Sequence, residues 1–242
     1  MEIKMLKKFA DKIVQLNAFE KENILNEEFI LEDEGKIKIF YAPHNEFINT
    51  KAQILIIGIT PGWTQTQIAF KTANEGLKKN KEIIDILKKC KFNSRFSGSM
   101  RNNLIDMLDE IGLNRKLNIG SCSEMFNEGN NLMHTTSLIK YPVFINRKNY
   151  NGHNPEILKN EILFKYVQNY FINEIKELEN PVIIPLGKAV EEVLMYLVNN
   201  RLIENKYLIL YGFPHPSGAN GHRKEIFANN KEALIKIVNS IN

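Results

Sequence analysis

The chain has 242 residues, 43% of them hydrophobic and 25% charged, which fits one soluble globular domain with a sizeable core and argues against disorder. A net charge of +4 permits a polyanionic partner without requiring one, and the two cysteines, Cys90 and Cys122, form no CxxC pair, so a disulfide framework, a thiolate zinc site and a four-cysteine cluster are all disfavoured. No apolar run approaches the roughly 20 residues of a membrane helix, and the charged, amphipathic start MEIKMLKKFADKIVQL is no signal peptide, so no membrane and a reducing, cytoplasmic setting are expected.

Residues 2 to 19 carry Ile3, Leu6, Phe9, Ile13, Val14 and Leu16 at helical spacing. KIKIFYAP, 36 to 43, alternates like a strand and stops at Pro43. QILIIG is a continuous apolar run, read as a buried parallel strand, and GITPG follows it. Residues 71 to 91 are Lys-rich with helical periodicity, an apparent helical insert. NNLIDMLDEIGL is an amphipathic helix ending near Gly112. LMHTTSLIK reads as a strand, and 154 to 178 as a long helix with Asn154 as its cap. PVIIPLG is another buried strand, with a helix from Lys188 to Val198 after it. KYLILYGFPHP reads as the last strand and KEIFANNKEALIKIVNSI as the last helix. Strands alternating with helices predict a parallel α/β sandwich, one domain over 1–242 whose first 35 residues are an N-terminal helical region.

Ligands of such sheets gather at the carboxyl ends of the strands. Three strands here end in unusual residues: GITPG after 57, Thr-Thr-Ser after 134, and HPSGANGHR after 214. Each alone has a plain structural explanation: a turn, a local backbone hydrogen bond, a packed histidine. Their joint placement at matching ends of one sheet is the functional signal. Phosphate-loop, dinucleotide-binding, H-E-x-x-H and G-x-S-x-G motifs are absent, and the five histidines share no metal-binding spacing, so neither metal nor cofactor is expected.

GITPG and HPSGANGHR together resemble the two active-site motifs of the uracil-DNA glycosylase superfamily. RFSGSMRNNLIDMLDEIGLNR is similar to the segment with the base-stacking phenylalanine, and ELENPVIIPLGKAVEEVL to another strand and helix of that superfamily. These segments span 54 to 225. The resemblance implies a three-layer α/β/α sandwich with a central, mostly parallel four-stranded sheet. It implies His215 as the electrophile that stabilises the departing base, and Phe96 as the stacking platform. Gly58, Ile59, Pro61 and Gly62 would form the turn that faces the base. Ser99, Ser217, Gly218, Ala219, Asn220 and Arg223 would contact DNA.

The residue types suit that chemistry. Breaking an N-glycosidic bond leaves negative charge on the base, which a preorganised donor stabilises. A base must be everted into a tight pocket to be read, and an aromatic ring stacks on any base. Phosphate contacts position the duplex without reading sequence.

The departures carry equal information. Where several members place Asp or Asn to orient the attacking water, this chain has Thr60, which binds water but is no general base at pH 7. Gly62 stands where fast uracil enzymes have a tyrosine that rejects the thymine methyl. Ser137, with Thr136 as the alternative if the register slips, replaces an Asn that reads the uracil edge. Ala219 replaces a leucine wedge. Trp63, next to that glycine, is either a pocket wall, a DNA contact or packing.

The expected function is a monomeric, monofunctional DNA glycosylase for uracil or a modified pyrimidine, with water as nucleophile. Three alternatives stand beside it: a glycosylase for bulky modified bases in foreign DNA, a non-catalytic DNA-binding module on the same fold, and a nucleoside hydrolase.

Overall fold

The fold is given by a computed structural model whose described residues are 4–96 and 98–241; Ile3, part of the first helical pattern, lies outside them. In chain order the elements are α1 (Lys4–Gln15), α2 (Lys21–Ile24), β1 (Ile30–Glu34), β2 (Ile37–Phe40), β3 (Ile54–Gly58), α3 (Trp63–Lys78), α4 (Ile83–Ser94), α5 (Gly98–Glu110) and α6 (Leu113–Lys116). They continue with β4 (Met133–Ser137), β5 (Val143–Ile145), β6 (Lys148–Asn149), α7 (Glu161–Tyr166), α8 (Ile172–Lys176), β7 (Val182–Pro185), α9 (Lys188–Asn199) and α10 (Arg223–Asn239). The chain divides into two compact units. The first takes in residues up to Ile48, Thr60–Arg95 and Ile139–Asn154; the second is Asn49–Ile59, Phe96–Leu138 and Pro155–Asn242.

The second unit holds the parallel sheet, in the order β4-β3-β7, flanked by helices in an α/β sandwich. Ile54, Leu55, Ile56 and Ile57 on the central strand are all 0% exposed, because a parallel sheet needs apolar side chains on both faces. Ile54 and Ile56 pack with Leu104 and Leu108 of α5, Leu113 of α6, and Phe227, Leu234 and Val238 of α10. A fourth chain segment runs beside β7: Ile183 N donates to Leu208 O at 2.8 Å, and Leu210 N to Ile183 O at 2.9 Å. Only the bridge Ile183–Ile209 is regular there, so the last expected strand is mostly an extended loop. The expected long helix starts at Glu161 instead of 154, since Asn160 is its cap and accepts from Leu163 N at 3.0 Å. A π-helical segment, Val167–Phe171, joins α7 to α8. From α8, Glu174 pairs with His134 of β4 at 2.9 Å in the interior.

The first unit carries a second, antiparallel sheet in the order β1-β2-β5-β6. The expected strand at 36 to 43 belongs to it, and β1 lies within the region expected to be helical. Its core is aromatic: Phe9 stacks on Tyr41 at 4.2 Å, and Phe29 and Phe70 meet edge to face at 4.9 Å. Asn74 of α3 donates to the carbonyls of Ile13 (2.6 Å) and Leu16 (3.1 Å), closing the end of α1. The Lys-rich stretch is a hairpin of α3 and α4. Lys91 in it is buried and donates to Asn45 Oδ1 at 2.6 Å.

Candidate active site

Parallel strands all deliver their carboxyl ends to one edge of the sheet. In the second unit that edge presents Ser137 of β4, Gly58 of β3, the Pro185-Leu186-Gly187 end of β7 and the segment Phe213–His215. Gly58 and Ser137 are direct register partners. A Cβ on Gly58 would lie 3.9 Å from Ser137 Oγ, so the Ser137 hydroxyl stands over the bare strand end. Ser137, not Thr136, therefore holds the position beside Gly58, and the Thr136 hydroxyl is buried with no hydrogen-bond partner among the described residues.

His215 is held from three sides. Gly187 N donates to Phe213 O at 3.0 Å, which fixes the approach to the histidine. Gly187 has φ 88, and a Cβ there would come within 3.1 Å of His215 Cβ, so a side chain would strain the backbone and crowd the histidine by a few tenths of an ångström. Ser217 N donates to His215 Nδ1 at 3.2 Å. An amide only donates, so Nδ1 is the acceptor and the neutral ring carries its proton on Nε2. Burial holds the His215 pKa below the usual 6.5, which keeps the ring neutral at pH 7. Among the described residues Nε2 has no partner, so its N–H is available to a ligand.

The loop after His215 is braced from inside. Asn220 Nδ2 donates to His215 O (3.1 Å), Arg223 Nη1 to Ser217 O (2.9 Å), and Ala219 N to Ser217 Oγ (3.2 Å). Asn103 Nδ2 of α5 donates to Pro216 O at 2.9 Å. Asn103 was not singled out by sequence; one Asn in an amphipathic helix carries no signal of a partner 113 positions away. Gly218 and Ala219 are exposed at the loop tip, and a Cβ on Gly218 would lie 3.6 Å from the exposed Ser99 Oγ. Two segments expected to meet DNA are thus neighbours. Phe96 is half-buried against the α5–α10 core, and its carbonyl accepts from Arg101 Nε at 2.5 Å.

Beyond β3 the chain enters the other unit at Thr60. The amides of Ile59 and Thr60 donate to no acceptor among the described residues. The Thr60 hydroxyl is committed: it donates to Tyr141 O at 2.8 Å and accepts from Val143 N at 3.1 Å. One lone pair remains for any water. Pro61 is buried. Gly62 opens α3, with its amide donating to Gln65 Oε1 at 2.9 Å. Trp63 is half-buried, with Lys21 Nζ 5.7 Å from its ring centre. Both cysteines are buried and their thiol pKa values are raised by that burial, which makes them inert. Among the described residues no group of three or more His, Cys, Asp or Glu is placed to hold a metal ion.

Comparison with known proteins places the chain in a family. The family model described as the uracil DNA glycosylase superfamily matches residues 46–241. An uncharacterised protein of Bacillus subtilis (strain 168), YoxB, is 44% identical over 237 residues, covering 97% of this chain and 92% of that protein. The strand-end turn, the His-Pro-Ser loop and the parallel sheet that carries them therefore have one family setting: the chain belongs to the uracil DNA glycosylase superfamily.

Proposed function

We propose that this protein is a monofunctional DNA glycosylase that hydrolyses the N-glycosidic bond of uracil or a modified pyrimidine everted from DNA. The observation that carries the proposal is His215: a neutral imidazole, locked by the Ser217 amide so that Nε2–H is free, at the carboxyl edge of the sheet. As the bond from C1′ to the base breaks, its electron pair moves onto the base, and Nε2–H donates to a base carbonyl that gains charge. Water adds its oxygen to C1′; its proton leaves to solvent, and the released base takes up a proton. Free base and an abasic site result.

The other residues take supporting roles in this scheme. The unengaged amides of Ile59 and Thr60 are donors for the base, Ser137 reads its edge, and Phe96 stacks against it. Thr60 offers water one acceptor position, and its main contribution is to hold the turn through Tyr141 and Val143. Ser99, Ser217 and Arg223 grip phosphates.

A larger base is a specific second reading. Gly62 presents no side chain, and the atom nearest a Cβ there is Asn149 Nδ2 at 3.5 Å. A panel of oligonucleotides, each with one uracil or one C5-substituted pyrimidine, separates the readings by which lesion gives abasic sites. His215→Ala should lower the rate on the preferred lesion by about 10²–10³-fold. DNA binding without abasic product from any lesion, unchanged in His215→Ala, would leave only the non-catalytic module. Base release from nucleosides but not from DNA would identify a nucleoside hydrolase.

A further inference from the structure

We propose that the tip of the β5–β6 hairpin, Arg147 with Lys148, is a phosphate-gripping DNA surface, separate from the His215 loop; it rests on the reading that this chain acts on DNA. The family match begins at residue 46, whereas β1 and β2, which complete the hairpin's sheet, lie at 30–40. The sheet is thus built partly from chain that the family model leaves unmatched.

Three observations converge on the tip. First, the hairpin is fixed to the reactive turn within its own unit. Thr60 Oγ1 bonds both Tyr141 O and Val143 N, and Asn149 closes over Gly62. Second, the turn is a two-residue one, with Asn146 at φ 49 and Arg147 at φ 63 between the paired Ile145 and Lys148. That turn favours Asn-Gly, and a left-handed conformation costs a non-glycine residue about 1–2 kcal/mol. The arginine is held there against local preference, and such violations gather at functional positions. Third, Asn146, Arg147, Lys148 and Asn149 are all exposed. Among the described residues neither Arg147 nor Lys148 has an ion-pair partner.

The surroundings keep the charge positive. Asn146 N donates to Lys36 O at 3.1 Å, so the exposed Lys36 shares this end of the sheet. Glu34 is the opposing carboxylate there, while Asp33 is occupied by Lys38 at 2.7 Å. Three residues of β5 at about 3.3 Å each carry the tip about 10 Å from the hairpin base at Val143, roughly three nucleotide rises along one strand.

The test is duplex binding as a function of salt, with the full chain. Neutralising both cations, Arg147→Gly with Lys148→Gln, should reduce the slope of log affinity against log salt by about 2. The advantage of the unaltered protein should shrink about tenfold between 50 and 200 mM salt. Arg147→Gly alone should leave the melting temperature equal or higher, because glycine suits that φ, while affinity falls. Base release at saturating DNA should stay within about twofold while KM rises. An unchanged salt slope in the folded double variant would overturn the proposal, as would absence of DNA binding by the unaltered protein. Base release with an unchanged slope refutes the hairpin alone; a hairpin-dependent slope without abasic product refutes the glycosylase and leaves the hairpin standing.

Discussion

The central strand of the parallel sheet and the unit that carries the antiparallel sheet handle polar groups in opposite ways. That central strand is dry from Ile54 through Ile57 and leaves polar chemistry to the strand ends at Ser137, Gly187 and His215; beside it, β4 buries Thr135, Thr136 and the His134–Glu174 pair. The unit with the antiparallel sheet takes polar groups inside: Asn45, Glu46, His44, Lys91 and Ser94 are all buried, and His44 Nδ1 meets Ser94 Oγ. In the first case the interior supplies rigidity and the rim supplies reactivity. In the second the buried groups tie loops together: Asn45 donates to Lys140 O at 3.1 Å, and Glu46 accepts from Leu6 N at 3.2 Å. A substitution at the rim of the first should therefore change rate, and one inside the second should change stability.

Gly187→Ala gives the largest expected effect, because it strains a φ of 88 and crowds His215 Cβ at 3.1 Å. A shift of His215 by a few tenths of an ångström should slow base release by less than the about 10²-fold that a 1 Å misplacement costs, beside a stability loss of about 1–3 kcal/mol. Single-turnover kinetics and thermal melting measure both.

Glu46 is next. Burial raises its pKa to about 7 from 4.5. A raised carboxyl binds its proton in the folded state between those values while the unfolded chain has lost it. Its contribution is thus complete below about pH 4.5 and is lost as pH rises through about 7. Glu46→Gln should remove that slope and stabilise the protein by about 3 kcal/mol at pH 8 relative to pH 4, compared with the unaltered chain. Denaturant unfolding at the two pH values is the measurement, and equal gains at both would contradict the assignment.

Thr60→Val removes a donor from Tyr141 O and an acceptor from Val143 N. The cost should be about 1–3 kcal/mol of stability, with base release lowered less than tenfold if Thr60 serves the turn more than the water. A loss of a hundredfold or more at unchanged stability would restore a direct catalytic role. Smallest of all, Asn103→Ala should loosen the His215 loop through Pro216 by about 1 kcal/mol, read as a modest rise in KM.

The same contrast explains what was legible in the sequence. Ile54–Gly58 and Val182–Pro185 stand out because buried parallel strands are short apolar runs between turns, while Met133–Ser137 is marked by its β-branched threonines and the apolar residues that flank it. The antiparallel sheet is poorly marked: β1 has no period-two burial, and β5 and β6 have three and two residues. The alternation of Ile37–Phe40 is visible, but its partner Val143–Ile145 is three residues long, about 100 positions away, and followed by an Asn-Arg turn that carries no glycine. At 154 an Asn-Pro pair suggests a cap, yet Asn160 takes that role, because Pro155 is followed by a 3-10 turn at Ile157–Lys159. Residue identities at the site come from motifs. What they do not contain is partnership at long range: Thr60 is bound to a carbonyl 81 positions away, and the tautomer of His215 depends on which way Ser217 N points.

Nitrogen-15 NMR of the His215 ring across pH tests the central claim most directly. The account predicts a neutral imidazole at pH 7, protonated on Nε2, with Nδ1 hydrogen-bonded and a titration below 6.5. A ring protonated on Nδ1, or one that titrates above 6.5, would contradict it.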